Sequence, residues 1–141
     1  MLRLLIGSDG SENALRAVRQ VGALAQRGLA IEAVLCNVRP PIGAQEANAA
    51  ASEAQLRHDR EADANVILAP GIAELARAGV RVLTHHAVGD VVEELVDAAA
   101  QWDSQAIVVG RRGLGPVASV LLGSVSARLA RDGRIPLMVV S

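Results

Sequence analysis

The spacing Gly110-x2-Gly113-x9-Gly123-Ser124, inside the run VVGRRGLGPVASVLLGSVS from Val108 to Ser126, is the part of this chain best suited to chemistry. An apolar strand runs into Gly110, and a helix is expected from Ser124. Flexible backbone therefore falls between a strand end and a helix start. Free N–H groups and the positive end of a helix dipole converge there on an anion. Gly113 and Gly115 permit positive φ and close approach of a ligand. Ser124 offers a hydroxyl and is placed to cap the helix, and its N–H, with those of Val125 and Ser126, would face the anion. Glycines at strand ends also make ordinary turns. The complete pattern sits between a strand and a helix, however, which is the context a phosphate- or nucleotide-binding loop requires.

Asp9 follows the first apolar run and so reaches the same sheet edge. It could accept from a ribose hydroxyl or hold a metal ion beside phosphates; equally, Asp in a turn often bonds its own backbone. Val38 ends the second apolar run. Its N–H and C=O could read an adenine edge while the side chain packs on the ring, or it could be an ordinary strand residue. Arg111 and Arg112 lie in the glycine loop, where a guanidinium fork suits phosphate; exposed charges are more often solvated, and solvation is the expectation here. His85 and His86 are adjacent on a strand and face opposite sides, a poor metal site. His58 is expected in solvent, Cys36 in the core as a small hydrophobe, and Glu93-Glu94 on a solvated helix face. No Ser/His/Asp set is legible, so the sequence makes no strong case for an enzyme.

Composition narrows the classes further. The chain has 141 residues, 51% of them hydrophobic, which argues for one packed domain over residues 1–141 and against disorder. Net charge is −1, which gives no support to nucleic-acid or membrane-surface binding. One Trp is the only aromatic residue, so stacking platforms for single-stranded nucleic acid are lacking. All 14 basic residues are Arg, which excludes Schiff-base and Walker-type lysine chemistry. A lone cysteine forms no intramolecular disulfide and no cysteine metal cluster. No apolar run reaches the ~20 residues that span a bilayer, and the N-terminus lacks the pattern of a signal peptide. The expected location is cytoplasmic.

The elements that must position these residues follow from periodicity and punctuation. Leu2–Ser8, Leu29–Val38, Val80–Val88, Gln105–Gly110 and Leu137–Val140 read as strands. Ser11 is a good N-cap for a helix that Gly28 stops. The segment 44–78 is Ala-rich and helical, with a break expected at Pro70-Gly71. Gly89-Asp90 opens a helix with Val92, Leu95, Val96 and Ala99 on one face, and Ser124 to Asp132 forms another. Strict β-α alternation implies an α/β fold, a doubly wound parallel sheet with helices on both faces and right-handed crossovers. Ligands in such sheets sit beyond the carboxyl ends of the strands, where strand order reverses.

At these residues the chain resembles the universal stress protein family over essentially its whole length. The carrying pieces are LLIGSDGSENA, VGDVVEELVDAAAQWDSQAIVVG and RRGLGPVASVLLGSVSARLARDGRIPLMVV. The Gly110-x2-Gly113-x9-Gly123-Ser124 spacing is similar to that of the family's ATP-binding branch. The resemblance implies a Rossmann-like, adenine nucleotide alpha hydrolase-like sheet of five parallel strands in the order 3-2-1-4-5. ATP would lie across the strand ends, with Mg²⁺ or Mn²⁺ commonly accompanying it. It further implies Asp9 near the ribose-phosphate region, Val38 on adenine, Gly110 near the ribose, and Gly113, Gly123 and Ser124 on phosphates with Ser126 assisting. A homodimer through Leu137–Val140 is implied as well. The chain departs from the pattern at Asn37, where His is common, and at Pro70. The implied function is a regulatory ATP-binding protein of the stress response with slow or no hydrolysis. Two alternatives remain: a slow ATP hydrolase or nucleotidyl-transferring enzyme of the same architecture, and a nucleotide-free dimeric scaffold. Another adenine ligand, such as cyclic AMP, is also open.

Overall fold

In the computed structural model, residues 1–41, 53–111 and 123–141 are described. Gly113, Gly115 and Arg112 lie outside them. The strands are β1 (Leu2–Gly7), β2 (Ile31–Arg39), β3 (Arg81–Val88), β4 (Ala106–Gly110) and β5 (Leu137–Val140). The helices are α1 (Glu12–Gln26), α2 (Glu53–Arg77), α3 (Val91–Gln101) and α4 (Ser124–Asp132). The sheet order is β3-β2-β1-β4-β5, and each neighbouring pair is parallel.

Successive strand residues point to opposite faces, so the apolar run Leu4-Leu5-Ile6 feeds two cores. Leu4 and Ile6 join Ala17, Val18 and Val21 of α1 and Leu68 and Leu75 of α2 on one face. Leu5 joins Val92, Leu95 and Val96 of α3 and Leu129 of α4 on the other. This two-sided burial explains why the strands read as continuous rather than alternating apolar runs. The chain steps from β1 to β2 on one side and later returns to β4 on the other. The ends of β1 and β4 therefore flank the point where strand order reverses.

Local signals set the helix ends. Ser11 Oγ accepts from Ala14 N, and Asp90 accepts from Glu93 N at 3.0 Å, each capping a helix start. One expectation is corrected. Helix α2 continues through Pro70 rather than breaking there. Pro70 is exposed, while Ala64, Leu68, Gly71 and Leu75 are buried on the face toward the sheet. A Cβ on Gly71 would meet Leu35 Cδ2 at 3.0 Å, so this glycine lets the helix lie close against β2. Packing on both sides of the proline outweighs the one missing N–H. No described helix is long and apolar enough to cross a membrane.

Candidate functional site

A cavity of about 260 Å³ opens beyond the carboxyl ends of β1 and β2, lined by Gly7, Ser8, Asp9, Cys36, Val38, Val91, Leu95 and Val125. It lies on the α3–α4 face. Three of the residues singled out in the sequence, Asp9, Val38 and Val125, meet here. The other walls escaped sequence reading because Val91, Leu95 and Cys36 sit on apolar faces that look the same whether they cover core or ligand. Burial pushes the Cys36 thiol up to about 12, so it acts as an apolar wall.

The floor is fixed by the turn after β1. Ser8 N–H donates to Cys36 O at 2.8 Å, the last rung between the two strands. Gly10 takes φ +81, a left-handed conformation that favours glycine, and its N–H donates to Ser8 Oγ at 3.2 Å. Asp9 Oδ1 accepts from Ser11 N at 2.9 Å. The carboxylate thus does form the local turn that Asp often makes, while also standing at the cavity rim.

The register explains why Val38 is special. Cys36 O bonds toward β1, and Arg39 O accepts from Gly89 N on the β3 side. Alternation then directs the N–H and C=O of Val38 toward β1. Pairing between those strands ends at Gly7↔Cys36. The Ser8 carbonyl, which would be the next rung's acceptor, instead takes Asn37 Nδ2 at 2.9 Å. Among the described residues, no β1 group pairs with the main chain of Val38, and this edge borders the cavity.

At the opposite rim, α4 begins. Gly123, not Ser124, occupies the N-cap, with φ −62 and ψ 162 and no side-chain cap. This corrects the expectation that Ser124 caps the helix: Ser124 is the first helical residue and is exposed. Ser126 is buried and its hydroxyl donates to Gly123 O at 3.0 Å. The first backbone N–H groups of α4, at Ser124, Val125 and Ser126, have no intrahelical acceptor. An Arg128–Asp90 pair, both bonds at 3.0 Å, ties α4 to the start of α3.

Gly110 does not line the cavity. A Cβ there would sit 2.1 Å from Asn13 O, so contact with the start of α1 alone demands glycine. Arg111 departs from the solvated expectation: its N–H donates to Val140 O at 2.7 Å, and its Nε is buried without a partner among the described residues. His85 and His86 face opposite sides as expected. His85 Nδ1 accepts from Trp102 Nε1 at 3.0 Å, whereas His86 lines a cavity on the α2 side. His58 is exposed. Among the described residues, no group of three His, Cys, Asp or Glu side chains is placed to hold a metal ion.

The model of the Universal stress protein family matches residues 1–141. Universal stress protein Rv1636 of Mycobacterium tuberculosis is 28% identical over 140 residues, covering 97% of this chain and 94% of that protein. Among solved structures, hypothetical protein MJ0577 is 27% identical, with a TM-score of 0.75 over 98% of this chain and 94% of that one. A universal stress protein solved in complex with cAMP is 26% identical, with a TM-score of 0.72 over 99% of this chain and 96% of that one.

Proposed function

Since the chain belongs to the universal stress protein family, we propose that it binds an adenine nucleotide, ATP, in the cavity beyond β1 and β2 and acts as a regulatory protein of the stress response. The observation that carries this reading is the main-chain edge of Val38, left without a β1 partner beside an apolar cavity. An adenine edge offers the donor and acceptor such a backbone needs, and Val38, Val91 and Leu95 offer its faces an apolar slot. At about 260 Å³ the cavity lies near the lower end of the ~300–1,000 Å³ typical of small-molecule sites. That suits the base end of a nucleotide, with the phosphates running toward α4.

The phosphates would then meet the N–H groups of Ser124, Val125 and Ser126 and the positive end of the α4 dipole. Gly123 leaves the approach unobstructed, and Gly113, outside the described residues, completes the loop in this reading. Asp9 would stand by the ribose and phosphates. A magnesium or manganese ion would arrive on the phosphates, with Asp9, the carboxylate among the described residues lining the cavity, to steady it, and would neutralise phosphate charge. Hydrolysis would be slow or absent, because the Asp9 carboxylate is already engaged by Ser11 N and serves poorly as a general base. The protein would work in the cytoplasm as a homodimer through β5.

The relative solved with cAMP favours one second reading, in which the same cavity takes a cyclic nucleotide. Mass spectrometry of the small molecule that co-purifies with the protein separates the two. The binding claim itself is tested by Gly123→Val. The backbone there is extended and open to any residue, so the variant adds bulk over the helix N-terminus without backbone strain. Calorimetry should show ATP affinity falling about tenfold or more, ~1.4 kcal/mol, in a protein with unchanged circular dichroism. Equal affinity would count against the reading.

A further inference from the structure

A second cavity, of about 210 Å³, lies on the opposite face of β2 beneath α2. Asn37 and His86 form its deep wall, and Arg39, Arg57, Arg60 and Glu61 surround it. Asn37 and His86 are register partners on β2 and β3, so their side chains emerge side by side. Asn37 is 2% exposed, yet its Oδ1 is buried with no hydrogen-bond partner among the described residues, and so is His86 Nδ1. Two adjacent unsatisfied polar atoms at the back of one cavity are costly, because each forgoes water without a replacement. Their placement calls for a ligand that brings hydrogen-bond donors.

The surrounding charge says what else that ligand carries. Among the described residues that line it, three carry guanidinium groups and Glu61 carries a carboxylate. Arg39 pairs with Asp63 at 3.9 Å, Arg60 donates to Pro40 O at 3.1 Å, and Arg57 has no ion-pair partner among the described residues. Planar guanidinium forks match the oxygens of an oxyanion. We propose that this cavity is a binding site for a small hydroxylated oxyanion, inorganic phosphate in its simplest form. Its charged oxygens face Arg39, Arg57 and Arg60, and its P–OH donates to Asn37 Oδ1. A water's share of liquid volume is ~30 Å³, so the cavity holds such an ion with several waters. The site is separate from the nucleotide cavity, which lies on the other side of the sheet. Asn37 touches both, since its Nδ2 holds the Ser8 carbonyl at the nucleotide rim.

The test is an NMR titration of the full chain with sodium phosphate at neutral pH, following Asn37 Nδ2 and Arg57 Nε. Both signals should move with one dissociation constant. In an Arg57→Gln/Arg60→Gln variant, altered only at the arginines that α2 presents to this cavity, that constant should rise roughly tenfold or more, while ATP affinity stays within about twofold. Sulfate, which carries no hydroxyl hydrogen at this pH, should bind more weakly than phosphate. Shifts confined to Val125 and its neighbours, or shifts that survive the double variant, would place phosphate in the nucleotide cavity and overturn the proposal. Equal binding of sulfate would overturn the donation to Asn37. A double variant with altered circular dichroism would be replaced by Arg57→Gln alone, for which the same rise is expected and an unchanged constant is contrary.

Discussion

Gly110 and Trp102 show how single residues divide between site and scaffold. Gly110 belongs to the glycine pattern, yet its Cα faces Asn13 O so closely that any Cβ must displace backbone. Gly110→Ala should therefore destabilise the fold by about 1–3 kcal/mol or more, read from the urea midpoint, whether or not nucleotide is present. A stable variant that merely loses ATP would mean the glycine serves the ligand directly. Trp102 donates to His85 Nδ1, a bond that needs the neutral imidazole. Burial first, and the neighbouring His86 second, hold His85 below its usual range. A lowered folded value means the contribution is present above the unfolded value of 6.5 and is lost as pH falls through the folded one. Trp102 is the only tryptophan. Its fluorescence should stay constant from pH 8 to 6.5 and change only in more acidic solution, with the change absent in His85→Phe. A transition centred above 6.5 would contradict the shift.

At the scale of elements, the strands and most helices were legible because buried parallel strands are continuous apolar runs and their ends carry Gly, Pro, Ser or Asp. The boundaries of α4 and β5 agree with the expected ones. Pro70 misled because local propensity speaks for a break, whereas contacts of Leu68, Gly71 and Leu75 with other elements hold the helix together. Asn37 was seen as a departure from a family pattern, but its bond to Ser8 O depends on register across two strands, which no local spacing reveals. The cavity walls Val91 and Leu95 were hidden because apolar positions on α3 look the same whether they cover core or ligand. The Asp90–Arg128 pair, like the Asn37 bond, links two elements distant in sequence. Arg128 holds the Asp90 carboxyl below the usual range, assisted by Glu93 N. That support exists above the ordinary carboxylate value and disappears as pH falls through the lowered one. Asp90→Ala should lower the melting temperature by a few degrees at neutral pH and loosen α4. An identical melting temperature would leave the cap and the pair without effect.

For the whole molecule, the sheet has two edges, β3 and β5. On β5, Val140 O accepts from Arg111 N and Pro136 O from Ile107 N, so even-numbered residues bond to β4. The N–H groups of Leu137 and Val139 point outward from the sheet, and such an edge invites pairing unless covered. If β5 is the dimer contact, Val139→Pro removes one outward donor without touching the β4 ladder. Light scattering should then report a monomer with native circular dichroism; a persistent dimer would move the contact elsewhere. Nucleotide binding in this molecule would rest on main-chain polarity at the end of the sheet: one edge at Val38 for a base, and one helix start at Ser124 for phosphate. A crystal structure of the protein grown with ATP and magnesium tests this most directly. The adenine should lie against Val38 and Leu95 with its edge bonded to the Val38 main chain, and a phosphate oxygen should lie within hydrogen-bond reach of the Ser124–Ser126 amides. ATP bound away from this cavity, or bound there with its phosphates turned from α4, would contradict it.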